Sequence, residues 1–231
     1  DYRQWANPNM LHSTTNYELY KSLYSSFNDN NYFELAYSLN REFGAQGIYR
    51  DLPTLYNFAD NHDVSRIASQ LLDRQQLHLL YFLLFTMPGN PSVYYGSEFG
   101  FEGVKQSDDW NLRPTFDLPQ LQNQAHAHDL RGWIGHLAWL RQSQPALKYG
   151  GYEQCLVASQ QLAFCREAGD DCAIAAVNSA AEPAKLVLPL RGKANWRFVD
   201  LLNPEESFTC DPSGNLHLPM PPNHARLLKN G

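Results

Sequence analysis

A short apolar run closed by a polar cluster constrains this chain most. Leu52-Pro53-Thr54-Leu55-Tyr56-Asn57 leads directly into Phe58-Ala59-Asp60-Asn61-His62-Asp63, with Arg66 three residues on. A brief apolar stretch with a Pro at its start reads as a buried parallel strand. In an α/β barrel, chemistry is built at the C-terminal ends of such strands, and the cluster stands at that end. Asn61, His62 and Asp63 form a compact set of donors and acceptors suited to a polyhydroxylated ligand such as a sugar. The same residues also have a purely structural reading. Asp63 would be the N-cap of a helix beginning near Val64, and Asn61 would turn the chain.

The surrounding sequence supplies alternating helices and strands. Turn signals from Pro8 lead to a short strand ending at Asn16-Tyr17. From Glu18 to Phe43, Leu19, Leu23, Phe27, Phe33, Ala36, Tyr37 and Leu39 recur at helical spacing. Asn28-Asp29-Asn30-Asn31 divides this stretch into two helices, and Gly44 and Gly47 close the second. After the polar cluster the pattern predicts a helix from Val64 to about Leu72, then one from Arg74 to Met87 that is apolar on nearly all faces. A short strand follows around Ser92 to Tyr94. The segment from Ser97 to Pro119 is rich in Gly, Asp and Pro, and a loop of that length in a compact domain is commonly functional. Gln122 to Gln142 is the last helix, with Leu130, Trp133, Ile134, Leu137 and Leu140 on one face.

Pro145 and Gly150-Gly151 then break the chain, and the period switches from helical to β. Short runs at Cys155–Ala158, Gln161–Arg166, Ala173–Asn178, Ala184–Leu190, Trp196–Asp200 and Leu216–Leu218 alternate with turn residues. That spacing predicts an antiparallel β-sandwich. Two domains result, 1–148 and 149–231, with the second expected to pack on the last helix through Trp133, Leu137 and Leu140.

Composition removes several function classes. The chain has 231 residues, 43% of them hydrophobic, which is ample for a core. Its net charge of -6, with no run of Lys or Arg, argues against nucleic acid as a partner. The longest apolar run, Leu77 to Met87, is too short to span a membrane. Asp1-Tyr2-Arg3-Gln4-Trp5 is no signal peptide, so the natural start is expected to lie elsewhere and the location to be cytoplasmic. Four cysteines, Cys155, Cys165, Cys172 and Cys210, lie in the last third without a Cys-x-x-Cys pair, which argues against zinc. Buried free thiols are the first reading, one or two disulfides the second. His126, His128 and His136 have uneven helical spacing and read as surface residues. No cofactor and no metal are expected.

Phe58-x-x-Asn61-His62-Asp63-x-x-Arg66 resembles the seventh-strand motif of the α-amylase superfamily, glycoside hydrolase family 13. About thirty residues later, Met87-Pro88-Gly89-Asn90-Pro91-Ser92-Val93-Tyr94-Tyr95-Gly96-Ser97-Glu98 resembles the family's eighth-strand segment, and Asn16-Tyr17 is similar to its sequence after the sixth strand. The resemblance implies a (β/α)8 TIM barrel followed by an antiparallel β domain. This chain would hold strands six to eight and the whole β domain, because a full barrel takes about 250 residues. The family's nucleophilic Asp, within Gly-x-Arg-x-Asp, and its acid/base Glu belong to strands four and five, and neither pattern is found here. Asp63 would then be the third family carboxylate, a transition-state stabiliser gripping the 2- and 3-hydroxyls of the sugar. His62 would share that contact, with Asn61 and Arg66 beside it. Asp109 and Arg113 would bind the neighbouring sugar, unless they are only a surface ion pair. Glu98 is expected to orient loops through backbone N–H groups. Trp110 is a candidate stacking ring, and Trp139 is assigned to the core.

The implied function is that of the C-terminal part of a retaining α-glucan-active glycosidase of α-amylase or maltodextrin-glucosidase type, acting on α-linked glucose oligosaccharides in carbohydrate metabolism. A glucanotransferase of the same family and a non-catalytic carbohydrate-binding or assembly module stand as alternatives. The isolated chain is expected to be inactive. It is also expected to need the N-terminal half of the barrel, or copies of itself, to cover Leu55, Tyr56, Phe58 and Val93.

Overall fold

The computed structural model describes residues 1–50, 55–119 and 125–231, and the side chains of these except residues 125–128. Leu52, Pro53, Thr54 and Gln122, and the side chains of His126 and His128, lie outside the described residues.

Helices α1 (Tyr17–Asn28) and α2 (Tyr32–Phe43) form where the helical spacing places them. Asn16 and Asn31 cap them, each side chain accepting from a backbone N–H of the first turn. Strand β1 (Tyr56–Phe58) pairs in parallel with β2 (Asn90–Ser92). On the other side of β1, Thr15 forms a parallel bridge to Tyr56, with Asn16 N donating to Tyr56 O at 2.9 Å. Three parallel segments therefore lie side by side in chain order. β2 begins two residues before its expected place, and β1 runs on through Phe58. The turn into β2 requires Gly89, whose φ is +98° and where a Cβ would meet the Asn57 amide.

Helices α3 (Ile67–Gln70), α4 (Leu77–Thr86), α5 (Ala125–Ser143) and α6 (Pro145–Tyr149) complete the first part. α4 is buried on nearly all faces, as its continuous apolar sequence requires. No helix among the described residues is long and apolar enough to cross a membrane.

The second part is antiparallel throughout. β3 (Gly151–Val157), β4 (Gln161–Ala168), β5 (Asp171–Asn178), β7 (Arg197–Asp200), β8 (Ser207–Thr209) and β10 (His224–Asn230) form one sheet in the order β3-β4-β5-β10-β7-β8. β6 (Ala184–Pro189) and β9 (Asn215–Met220) form the facing pair. Alternation along β4 divides two cores. Leu162 and Phe164 face the helices, while Ala163 and Cys165 face β6 and β9. The first core is continuous across both parts of the chain, joining Leu35, Leu39 and Leu80 to Phe164, Ala175 and Leu227.

The large sheet rests on α2, α4 and α6. The face of α5 expected to meet the β domain is covered: Leu137 and Leu140 are buried in the core shared with the sheet, and Trp133 is partly covered, its Nε1 donating to His78 O at 2.9 Å. The apolar face of α5 is taken up by α4. Two buried arginines close the junction. Arg141 donates to Phe85 O and Met87 O at 2.7 and 3.0 Å, and Arg166 to Thr86 O at 2.7 Å and Gly150 O at 2.8 Å. They satisfy carbonyls that the end of α4 leaves unpaired.

Candidate functional site

The site begins where β1 ends. Phe58 is covered by Tyr20, stacked at 5.0 Å, and by the edge of Tyr17 at 5.0 Å. Asp60 then turns inward. Its Oδ2 accepts from Ile67 N at 2.8 Å, and both oxygens lie 2.8 Å from Ser97 Oγ. Burial pushes its carboxyl above the usual carboxylate range, against the hydrogen bonds from Ile67 and Ser97. Asp60 therefore holds the start of α3, which begins at Ile67 and not near Val64.

That assignment releases Asp63. Asn61 Oδ1 accepts from Asp63 N at 2.8 Å, so Asn61 does form the turn. Its Nδ2 donates to Tyr17 OH at 3.3 Å. The side chains of His62 and Asp63 stand outside, 55% and 52% exposed, with Nε2 and Oδ2 3.3 Å apart. The Arg113 guanidinium lies between two carboxylates, 3.9 Å from Asp63 Oδ1 and 2.9 Å from Asp109 Oδ2. It also donates to His62 O at 3.4 Å. Asp109 is bound by Lys105 as well, and these cations hold its carboxyl below the usual range, Lys105 foremost. The Tyr94 ring lies 6.4 Å from the His62 ring.

Arg66 is placed differently from the ligand-binding role expected of it. It is wholly buried, with its guanidinium 4.2 Å from the Tyr94 ring centroid. It donates to Tyr95 O at 2.6 Å, Ser97 Oγ at 3.1 Å and Leu112 O at 2.7 Å. No atom of it is free to meet a ligand in this arrangement. It ties the segment after β2 to the turn Trp110–Leu112, which carries Asp109 and Arg113 at its ends. The long loop is thus anchored, with Gly103 N and Lys105 N also donating to Ser69 Oγ and Ser65 Oγ at 2.9 Å each.

Trp110 is exposed beside this cluster. Trp139 is 61% exposed, which corrects its assignment to the core: it lies on the solvent side of α5, stacked on His136 at 6.0 Å. Glu98 Oε2 is buried with no hydrogen-bond partner among the described residues, so the expected backbone bonds to that oxygen are not made. Sequence reasoning missed Asp60 and Ser97. Their signal was weak, because an Asp seven residues before a helix is too distant to read as its cap.

An exposed carboxylate, an imidazole and a guanidinium fork beside a tyrosine form a surface that accepts from and donates to vicinal hydroxyls. Comparison with known proteins gives the family. The profile of the family described as alpha amylase, catalytic domain, matches residues 1–141. A cyclomaltodextrin glucanotransferase from Bacillus sp. (strain 38-2) is 28% identical over 180 residues, covering 77% of this chain and 24% of that protein. A cyclomaltodextrinase from Bacillus sp. is 28% identical over 128 residues, covering 54% of this chain and 22% of that protein. Among solved structures, the α-amylase of Geobacillus thermoleovorans complexed with acarbose superposes with a TM-score of 0.79 at 21% identity, over 96% of this chain and 48% of that one. The Anoxybacillus α-amylase gives 0.83 at 20% identity, over 100% and 50%. The chain thus spans about a quarter of the length of these curated relatives and about half of these structures. With a family match over more than half of its residues, the chain belongs to the α-amylase superfamily, glycoside hydrolase family 13.

Proposed function

We propose that this chain is the C-terminal part of a retaining α-glucan-active glycosidase of the α-amylase or maltodextrin-glucosidase type, and that α-linked glucose oligosaccharides are its ligands. Residues 1–148 supply barrel strands six, seven and eight, as the Thr15 bridge, β1 and β2, and residues 149–231 are the C-terminal β domain. One observation carries the reading of the site. Asp60 takes the helix-start role, which leaves the Asp63 carboxylate exposed at the C-terminal end of β1 between His62 and Arg113. Asp63 stabilises the transition state through the sugar 2- and 3-hydroxyls, where hydrogen bonds strengthen as positive charge develops. His62 and Asn61 assist it, Arg66 supports the wall beneath, and Asp109 with Arg113 meets the next sugar.

Retention needs a nucleophilic carboxylate and an acid/base carboxyl about 5–5.5 Å apart. Asp109, held ionised by Lys105 and Arg113, is poorly suited to donate a proton. Neither the Gly-x-Arg-x-Asp pattern nor the acid/base Glu pattern of the family is found in these 231 residues, so the isolated chain is expected to have no glycosidase activity on maltodextrin or an aryl α-glucoside. Turnover by pure chain that one carboxylate substitution within it abolishes would overturn this. In the longer parent, Asp63→Asn lowers kcat far more than it raises KM, because the interaction belongs to the transition state. Near-unchanged kcat would remove Asp63 from catalysis. The relatives named cyclomaltodextrin glucanotransferase favour a second reading, transfer to a sugar instead of water. Product analysis separates the two: transfer yields new α-glucans or cyclic products without a matching rise in reducing ends.

A further inference from the structure

The cysteine spacing contains no Cys-x-x-Cys pair, yet the β4–β5 hairpin gathers ligands that the sequence keeps apart. Cys165 and Glu167 lie two residues apart on β4 and so share a face. The register sets Cys172 of β5 directly opposite Glu167 and diagonal to Cys165. The two Sγ atoms are 3.2 Å apart, and Cys165 Sγ lies 3.7 Å from Glu167 Oε1. One ligand atom from each of the three residues falls within 4.8 Å of the others. Both thiols are buried, whereas the Glu167 side chain is 44% exposed, so the cluster opens to solvent on one side. Lys193 pairs with Glu167 Oε1. Cys155 is partly buried on the adjacent strand at a β-bulge, and Cys210 is buried in the same core.

We propose that Cys165, Glu167 and Cys172 form a binding site for a zinc ion, with a solvent molecule as the fourth ligand. Thiolate sulfurs bound to tetrahedral zinc at about 2.3 Å stand about 3.8 Å apart. The observed separation needs to open by only about half an ångström. Charge also balances. Two thiolates, the Glu167 carboxylate, Lys193 and a divalent cation sum to zero, as do two neutral thiols with the Glu167–Lys193 pair alone. Binding thus releases two protons to solvent and buries no net charge. Sulfur ligands select zinc over magnesium or calcium, which prefer oxygen. The ion would cross-link β4 to β5 and so brace the hairpin.

The test uses the whole chain, reduced, freed of metal, and titrated with Co2+ and then Zn2+. One equivalent of Co2+ is expected to produce a thiolate-to-cobalt charge-transfer band that Zn2+ displaces. Cys165→Ser and Cys172→Ser are expected to lose the band, and Cys155→Ser and Cys210→Ser to keep it. Glu167→Gln changes a half-exposed side chain, so folding is preserved, and it is expected to weaken the affinity roughly tenfold or more. Absence of the band in the reduced, folded wild-type chain would overturn the proposal. So would an equal band in folded Cys172→Ser, or affinity unchanged in Glu167→Gln.

Discussion

Asp60 and Asp63 are three residues apart and have opposite fates. One is buried and holds a helix start and Ser97; the other has an exposed carboxylate near His62 and Arg113. Their substitutions should separate cleanly. Asp60→Ala leaves Ile67 N and Ser97 Oγ without an acceptor beside the buried Arg66, and should cost about 2 kcal/mol or more of stability. Asp63→Ala should change stability by less than about 0.5 kcal/mol. Urea unfolding of the two variants side by side checks this. Equal losses would mean that Asp63 also supports the fold.

At the scale of elements, two polar devices join pieces distant in sequence. The first is a network beneath the parallel segments. Asn16 Nδ2 donates to Glu42 of α2 at 2.6 Å and to Asn57 Oδ1 of β1 at 3.1 Å, and Asn57 Nδ2 donates to Pro88 O at 2.6 Å. Burial raises the Glu42 carboxyl to about 8 from an ordinary 4.5, against the Asn16 bond that lowers it. The folded state thus binds a proton that the unfolded chain releases. This contribution is fully present below about 4.5 and is lost as pH rises through about 8. Glu42→Gln should remove this slope, seen as a urea midpoint that falls less between about pH 5 and pH 8 than in wild type. The second device is Arg166, which reaches from the β sheet to the end of α4. Arg166→Lys cannot span Thr86 O, Gly150 O and Gly151 O with one ammonium, and should cost about 2–3 kcal/mol by chemical denaturation. A near-neutral result would make the junction purely apolar in origin.

For the whole molecule, the question is how part of a barrel covers itself. The structure answers in part. Leu55 and Phe58, expected to be partly bare, are 0% and 1% exposed: Leu55 lies in the main core, and α1 brings Tyr17 and Tyr20 over Phe58. Tyr56 remains 43% exposed and Val93 partly so. Among the described residues, the strand pairings of the segments flanking β1 are with β1, and a short parallel sheet invites further pairing. The chain should therefore self-associate, or join the N-terminal barrel half that we propose when the two are co-expressed. Light scattering at low concentration checks this. A compact monomer of 26.4 kDa with slow amide exchange through β1 would show that the tyrosine cover suffices.

What the sequence determined by itself was local or periodic in origin. The helices α1, α2 and α4, the break at Pro145, most strands of the β domain and the polar cluster after β1 all follow from apolar spacing and turn residues within a short window. β10 escaped that reading although it lies at the centre of the sheet. Its run His224-Ala225-Arg226-Leu227-Leu228-Lys229-Asn230 carries a buried arginine, which looks like a surface residue until Asp200, 26 positions away, is placed 2.7 Å from it. The same holds for the burial of Arg66 under Tyr94, the release of Asp63 by Asp60, and the meeting of Cys165 with Cys172. Each depends on which partner neutralises or desolvates a polar group across the fold, and only tertiary structure brings such partners together.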